Sequence, residues 1–240
     1  VNEPATHSIS QLIEGALPPS LAAQLPLELV DLTIGGRTWR VLTVRDQDAL
    51  LDLADHLDHV PYGFLLWESA IALAELLTQH PEWVAGRRVL ELGAGLGLPG
   101  LVARSLGAEV WQTDHEPHAL ALAQVNAAHN GVSGLHHFLA DWTAWAHPVQ
   151  YDLILGADIL YERAMHPYLA PIFARNLAPG GRLLLADPSR PQALTFVADL
   201  EKQGWHFEIT MQTIALPLVN RATKPVDVAL LLGNPPRSPG

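Results

Sequence analysis

The stretch that most limits what this chain can become is "VLELGAGLGLPG", Val89 to Gly100. Four glycines fall within the eight residues Gly93–Gly100, directly after a short apolar run that contains Glu91. A backbone this bare forms a tight strand-to-helix turn that a ligand can approach closely. From Gly95 the spacing fits G-x-G-x-x-G, the form used for dinucleotides, through Gly95, Gly97 and Gly100. From Gly93 it reads G-x-G-x-G with Glu91 two residues ahead. In both frames Asp114 ends the next apolar segment, about 20 residues on, where a carboxylate can hold ribose hydroxyls. Glu91 distinguishes the frames. At the mouth of the loop a carboxylate would repel a pyrophosphate, whereas it would attract an ammonium or sulfonium, or hold the loop's own N–H groups. A nucleoside with cationic decoration and no phosphates, such as S-adenosylmethionine, is the favoured ligand.

The surroundings of the loop set the fold. Apolar strands "RVLEL", "EVWQT", "LHHFLA", "YDLILGA" and "RLLLA" alternate with helical segments such as "EPHALALAQVNAAHN" and "PYLAPIFARNLAPGG". The last of these is expected to stop at Pro179, Gly180 and Gly181. Alternation of this kind predicts a Rossmann-like α/β fold, a mostly parallel sheet with helices on both faces. "WHFEITMQTIAL" and "PVDVALLLG" have no helix between them and predict an antiparallel hairpin at a sheet edge. Residues 1–60 read as an N-terminal extension of helix, β-hairpin about Gly35-Gly36, and helix capped by Asp46. Residues 61–233 form the ligand-binding domain, and 234–240 a flexible tail.

Composition excludes several classes. The net charge of −11 opposes sequence-independent nucleic-acid binding and suits a basic partner. With no cysteine, thiolate zinc sites and cysteine nucleophiles are absent. The 12 histidines show no metal-binding spacing, so no metal is expected. No apolar run is long enough to span a membrane, and no basic-then-apolar leader is visible at the start, so the expected setting is the cytoplasm. "NPP" at Asn234–Pro236 resembles an amino-methylating motif of nucleic-acid enzymes but stands in the tail rather than after the fourth strand.

"VLELGAGLGLPG" with "VWQTD" resembles the first two motifs of class I, seven-β-strand S-adenosylmethionine-dependent methyltransferases. "LADWTAW" and "YDLILGADILYE" match the next two, and "PYGFLLWESAIALAELL" matches the helix that precedes them. The D-x-x-Y form, Asp158 to Tyr161, is that of the family-16 branch, mostly protein-lysine methyltransferases with nicotinamide N-methyltransferase as a distant cousin. The resemblance runs from about Pro61 to Asp187, and "LLLADPSRP" is similar to the lysine methyltransferases of the electron transfer flavoprotein β subunit. It implies a seven-stranded sheet and a cofactor site of Trp67, Glu91, Gly93, Ala94, Gly95, Gly97, Asp114, His115, Asp141, Trp142 and Ala157. Within it Asp141 would accept from the adenine amino group and Trp142 would lie against the base. Asp158 and Tyr161 are the implied catalytic pair; three residues apart, one helical turn would bring them to one side. Arg190 is expected either to line the target groove or to pair with an acid.

The expected activity is methyl transfer from S-adenosylmethionine, leaving S-adenosylhomocysteine, to a lysine on a protein; the electron transfer flavoprotein β subunit is the partner the resemblance points to. The alternatives are a small-molecule amine or heterocycle N-methyltransferase, an NAD-dependent oxidoreductase using the Gly95 frame, and a catalytically silent binding module.

Overall fold

The computed structural model describes residues 8–45, 47–54, 61–215 and 224–236. Two single-turn helices, α1 (Ile9–Leu12) and α2 (Pro19–Ala22), lead into a hairpin of β1 (Leu27–Ile34) and β2 (Arg37–Val44), followed by α3 (Gln47–Ala54). Gly35 and Gly36 make the two-residue turn, both at positive φ, with Ile34 opposite Arg37. The cap expected at Asp46 lies outside the described residues, as does residue 60, where the sequence places the end of the extension.

The main unit then runs α4 (Glu68–Gln79), β3 (Arg88–Leu92), α5 (Leu98–Ser105), β4 (Glu109–Asp114), α6 (Pro117–His129), β5 (Leu135–Leu139) and β6 (Tyr151–Ala157). It continues with α7 (His166–Asn176), β7 (Leu177–Asp187), α8 (Pro191–Lys202), β8 (His206–Ile214) and β9 (Val226–Asn234). The seven strands lie in the order β5-β4-β3-β6-β7-β9-β8. β5 through β7 are mutually parallel, while β9 is antiparallel to both β7 and β8. This is the fold the strand–helix alternation predicts, including the antiparallel hairpin at one edge. Chain order reverses between β3 and β6, and in such sheets the crevice beyond the strand C-termini at that point is where ligands bind.

Period-two alternation gives each central strand two buried faces. Val89, Leu153, Leu155, Leu184 and Ala186 join one core with α4, α5, α6 and the N-terminal hairpin. Leu90, Ile154, Leu183 and Leu185 join a second core with α7 and α8. The hairpin is fastened to α6 by two asparagines one helical turn apart. The Asn126 side chain accepts from Leu42 N–H at 2.7 Å and donates to the carbonyls of Leu42 and Leu96 at 3.3 and 3.1 Å. Asn130 accepts from Arg40 N–H at 2.9 Å and donates to Arg40 carbonyl at 2.7 Å. The two amides satisfy the free edge of β2 as a neighbouring strand would.

One boundary differs from the expectation. α7 ends at Asn176, not at Pro179-Gly180-Gly181, and those residues belong to the start of β7. Leu177 is already extended and paired with Tyr151. The buried Asn176 amide donates to the carbonyls of His147 and Val149 at 2.9 and 2.7 Å, which fixes the helix end from a distant loop. Among the described residues no helix is long and apolar enough to cross a membrane, and no group of three His, Asp or Glu side chains could hold a metal ion.

Candidate active site

Four strands that reach the crevice end on, or within two residues before, a carboxylate. Asp114 closes β4, Asp158 follows β6, Asp187 closes β7, and Asp141 stands two residues beyond β5. The glycine turn leaves β3 between them. Asp114, Asp141, Asp158 and the glycine turn border a cavity of about 660 Å³ roofed by the segment Pro61–Trp67, while fully buried Asp187 does not line it. All thirteen residues implied for the cofactor site and the catalytic pair line this cavity, and Arg190 does not.

The roof sits directly on the glycine turn. A Cβ at Gly95 would lie 3.1 Å from Gly63 carbonyl oxygen, and one at Gly63 would lie 3.5 Å from Gly95 Cα, so two bare backbones are needed where they cross. The hairpin holds the roof down: Thr43 Oγ1 at the end of β2 accepts from Leu66 N–H at 3.1 Å. Trp67 is not on a helix face but at the N-cap of α4, where its indole N–H donates to Tyr62 carbonyl at 3.0 Å. Its ring stands 6.2 Å from Tyr62, and Tyr62 meets Tyr161 edge-on at 6.2 Å.

Asp114 is buried. It accepts from Gly95 N–H at 2.8 Å through one oxygen and from Glu116 N–H at 3.0 Å through the other. The oxygen that accepts from Gly95 keeps a lone pair for a further donor, whereas the other also faces His115 Nδ1. Exposed His115 stands 3.3 Å from the same carboxylate, which holds its imidazole above the ordinary value. Asp141 caps a single 3₁₀ turn, Trp142–Ala144, accepting from Thr143 N–H and hydroxyl at 2.8 Å each. Those bonds keep its carboxyl below the usual value. Trp142 covers Gly93, whose Cβ position lies 3.5 Å from the indole, and Ala94 and Ala157 complete the floor.

Glu91 does the second of the two things open to it. Its Oε2 accepts from Gly100 N–H, inside the first turn of α5, at 3.0 Å and from the Gln112 amide at 2.6 Å. It is a brace beneath the loop, and only 2% of it is exposed. Burial pushes its carboxyl up to about 7, against the hydrogen bonds that pull it down. A lone anionic guard at position 91 is therefore too simple a picture, because the preference for cations belongs to the cavity as a whole. Its lining holds six carboxylates, Glu91, Asp114, Glu116, Asp141, Asp158 and Glu162, and neither lysine nor arginine.

The charge on Glu91 opposes folding. Its folded value of about 7 lies above the ordinary 4.5, so its favourable contribution is complete below about pH 4.5 and is lost as pH rises through about 7. Glu91→Gln keeps an oxygen for Gly100 and Gln112 and removes the titration. Between pH 4.5 and 8, wild type is expected to lose about 3 kcal/mol of stability relative to the variant. Urea unfolding across that range measures it, and a constant difference would show that Glu91 stays charged in the folded protein.

Asp158 and Tyr161 both face the cavity, but not through a helical turn. Asp158 has a left-handed backbone, φ 56°, and the segment to Tyr161 is irregular. Asp158 N–H donates to Ala186 carbonyl at 2.9 Å, so β7 imposes the bend. The carboxylate is buried and pairs with Arg190 Nη1 at 2.5 Å. Burial raises its proton affinity, while the Arg190 charge and the Ser69 hydroxyl counter that rise. Arg190 thus pairs with acids, one of the two roles open from the sequence. Tyr161 is partly exposed, and desolvation raises its phenol further above the ordinary value.

Sequence reasoning passed over Tyr62, Glu116, Glu162 and Asp187. Three of them are acids at or just beyond strand C-termini or in the loops that follow, a pattern already visible in "TDHE", "ADILYE" and "LLLADP".

Residues 45–203 match the model of a family described as lysine methyltransferase. A protein N-terminal and lysine N-methyltransferase of Eremothecium gossypii is 33% identical over 191 residues, covering 70% of this chain and 72% of that protein. A mouse histone-arginine methyltransferase is 33% identical over 43% of this chain and 44% of its own length. Among solved structures, a Thermus thermophilus 16S rRNA N2 G1207 methyltransferase in complex with AdoMet and guanosine superposes with a TM-score of 0.58. It is 18% identical and covers 87% of this chain and 50% of that one, a likeness of fold.

Proposed function

This chain belongs to the lysine methyltransferase family, and from that premise we propose that it transfers a methyl group from S-adenosylmethionine to a lysine side chain of a protein. The observation that carries the reading is the cavity lining: six carboxylates and no basic side chain other than His115. Such a site favours a sulfonium and an arriving ammonium, and it repels a pyrophosphate. Family membership and this charge pattern together argue against the NAD-dependent reading of the Gly95 frame.

The residues fit this cofactor. In this reading Asp114 accepts from the ribose hydroxyls, Asp141 takes the adenine amino group, and Trp142 lies against the base. The bare backbone of Gly93, Ala94, Gly95 and Gly97 admits the amino-acid portion, with Glu91 bracing it from below and Trp67, His115 and Ala157 closing the sides. S-adenosylmethionine supplies a methyl group on an excellent leaving group.

The protein's task is then mainly alignment of nucleophile and methyl, worth about 7–11 kcal/mol of barrier. The acceptor arrives as an ammonium, drawn by the acidic lining, and must lose a proton before it has a lone pair. The apolar side chains of Ile159 and Met165 in the lining favour the neutral amine. Asp158 accepts a hydrogen bond from the nitrogen, with Tyr161 beside it, and stabilises the positive charge that develops there. The proton leaves to Asp158 or to water. The net charge of −11 assists approach of a basic protein segment.

Incubation with desalted cell proteins and S-adenosylmethionine labelled at the methyl tests the proposal. Label is expected in protein, and acid hydrolysis should release it as methylated lysine. Recovery as methylarginine would move the acceptor to a guanidinium, and label confined to small molecules would overturn the protein-substrate reading. Calorimetry should find S-adenosylhomocysteine bound and NAD not.

A further inference from the structure

The end of β7, the turn after it and the start of α8 grip the Asp158–Tyr161 segment at three points. Ala186 carbonyl accepts from Asp158 N–H at 2.9 Å, Arg190 Nη1 meets the Asp158 carboxylate, and the Gln192 amide donates to Tyr161 carbonyl at 3.2 Å. The turn is itself tightly specified. Ser189 and Asp158 are the two non-glycine residues with positive φ among the described residues, at 60° and 56°. Ser189 N–H donates to Asp187 carbonyl at 2.7 Å, and that fold-back brings Arg190 round to face the carboxylates. Asp187, with 1% of its side chain exposed, then accepts from Arg190 N–H at 2.7 Å and from Arg190 Nη1 at 2.9 Å. One guanidinium nitrogen is shared between two buried carboxylates.

We propose that Arg190 is a positioning residue for methyl transfer: locked by Asp187, its guanidinium fixes the direction of the Asp158 carboxylate toward the acceptor nitrogen. This rests on the function proposed above. Two carboxylates and one guanidinium leave a net charge of −1 in the cluster, so the buried site keeps one negative charge to offer an incoming cation. Left-handed backbone at Asp158 and at Ser189, the residue before Arg190, is the kind of strain a structure retains where orientation matters. The groups that bear on Asp158 are Arg190 and Asp187 from the β7–α8 turn, Ser69 from α4, and nearby Tyr161 on its own segment.

Arg190→Met removes the charge while keeping the apolar stem, and Arg190→Lys keeps a charge without the fork. Turnover of Arg190→Met is expected to fall by about 10²-fold, the cost of a misdirected catalytic group, with affinity for S-adenosylhomocysteine unchanged. Arg190→Lys, which leaves neither buried carboxylate without a cation, should stay folded and transfer at a rate between the two. The discriminating readout is the carboxyl carbon signal of Asp158 in protein labelled with ¹³C-carboxyl aspartate, identified by its absence from Asp158→Asn. It should titrate at higher pH in Arg190→Met than in wild type, because burial then acts without the opposing charge. If Arg190→Met proves unfolded, Arg190→Lys serves alone, and a wild-type rate and titration in it overturn the assignment. The same result in a folded Arg190→Met overturns it too. A wild-type protein that methylates no amine would sink the proposed function instead, and the Asp158 titration would still decide what Arg190 holds.

Discussion

Replacing Asp158 with asparagine lowers the turnover of methyl transfer by about 10²–10³-fold and leaves affinity for S-adenosylhomocysteine within about threefold of wild type. Asparagine is the informative replacement because the backbone there is left-handed, at φ 56°. Asparagine tolerates that region, whereas alanine adds a cost of about 1–2 kcal/mol that has nothing to do with charge. The asparagine oxygen can still accept from Arg190 Nη1, and Arg190 keeps its second partner Asp187. The fold of the segment therefore survives, and what disappears is one negative charge at the place where the acceptor nitrogen turns positive. The cofactor side of the cavity, around Asp114 and the glycine turn, is untouched. Single-turnover label transfer measures the rate, and calorimetry measures the affinity. A rate within a few-fold of wild type would remove Asp158 from the chemistry and leave it a structural partner of Arg190.

The parts of this site that were legible in the sequence are those set by short-range rules. Apolar strands bounded by turns located β3 to β7, and the glycine spacing after β3 located the turn that a ligand can approach. Acids at strand ends were readable because in a parallel sheet those ends converge on one crevice. What escaped depends on partners far along the chain. The spacing of Asp158 and Tyr161 suits a helical turn, but Ala186 carbonyl captures Asp158 N–H and bends the chain the other way. Pro179-Gly180-Gly181 resembles a helix stop, yet the helix has already ended at Asn176, whose amide is held by the carbonyls of His147 and Val149. Glu91 could face a ligand or its own loop, and Gln112 on the neighbouring strand decides for the loop. The cationic preference first ascribed to that single residue turned out to be spread over six, because neighbouring strands contribute side chains that sequence order keeps apart.

That dependence makes the packing beneath the loop the second place where a small change has a large effect. Gly97→Ala is expected to cost about 3 kcal/mol of stability and to lower the melting temperature by roughly 10 °C, with S-adenosylhomocysteine affinity reduced more than about tenfold. Gly97 combines φ 79° with a crowded site: a Cβ there would lie 2.7 Å from Gln112 Nε2 and 2.9 Å from Ala123 Cβ. Gln112 cannot simply swing aside, since the same nitrogen donates to Glu91 at 2.6 Å and to Gly97 carbonyl at 2.9 Å. Moving it releases Glu91, which in turn braces Gly100 N–H at the start of α5, so the disturbance spreads along the turn that the cofactor must approach. Gly180→Ala separates strain from crowding. Its φ is 77°, nearly the same, but no atom lies within 4 Å of the added Cβ. It should lose only the conformational cost, about 1 kcal/mol, and bind as wild type does. Thermal melts and calorimetry of the two variants side by side make the comparison. Equal losses in both would mean that backbone strain alone sets the glycine requirement. The Glu91–Gln112–Gly97 packing would then have no part in shaping the cofactor turn.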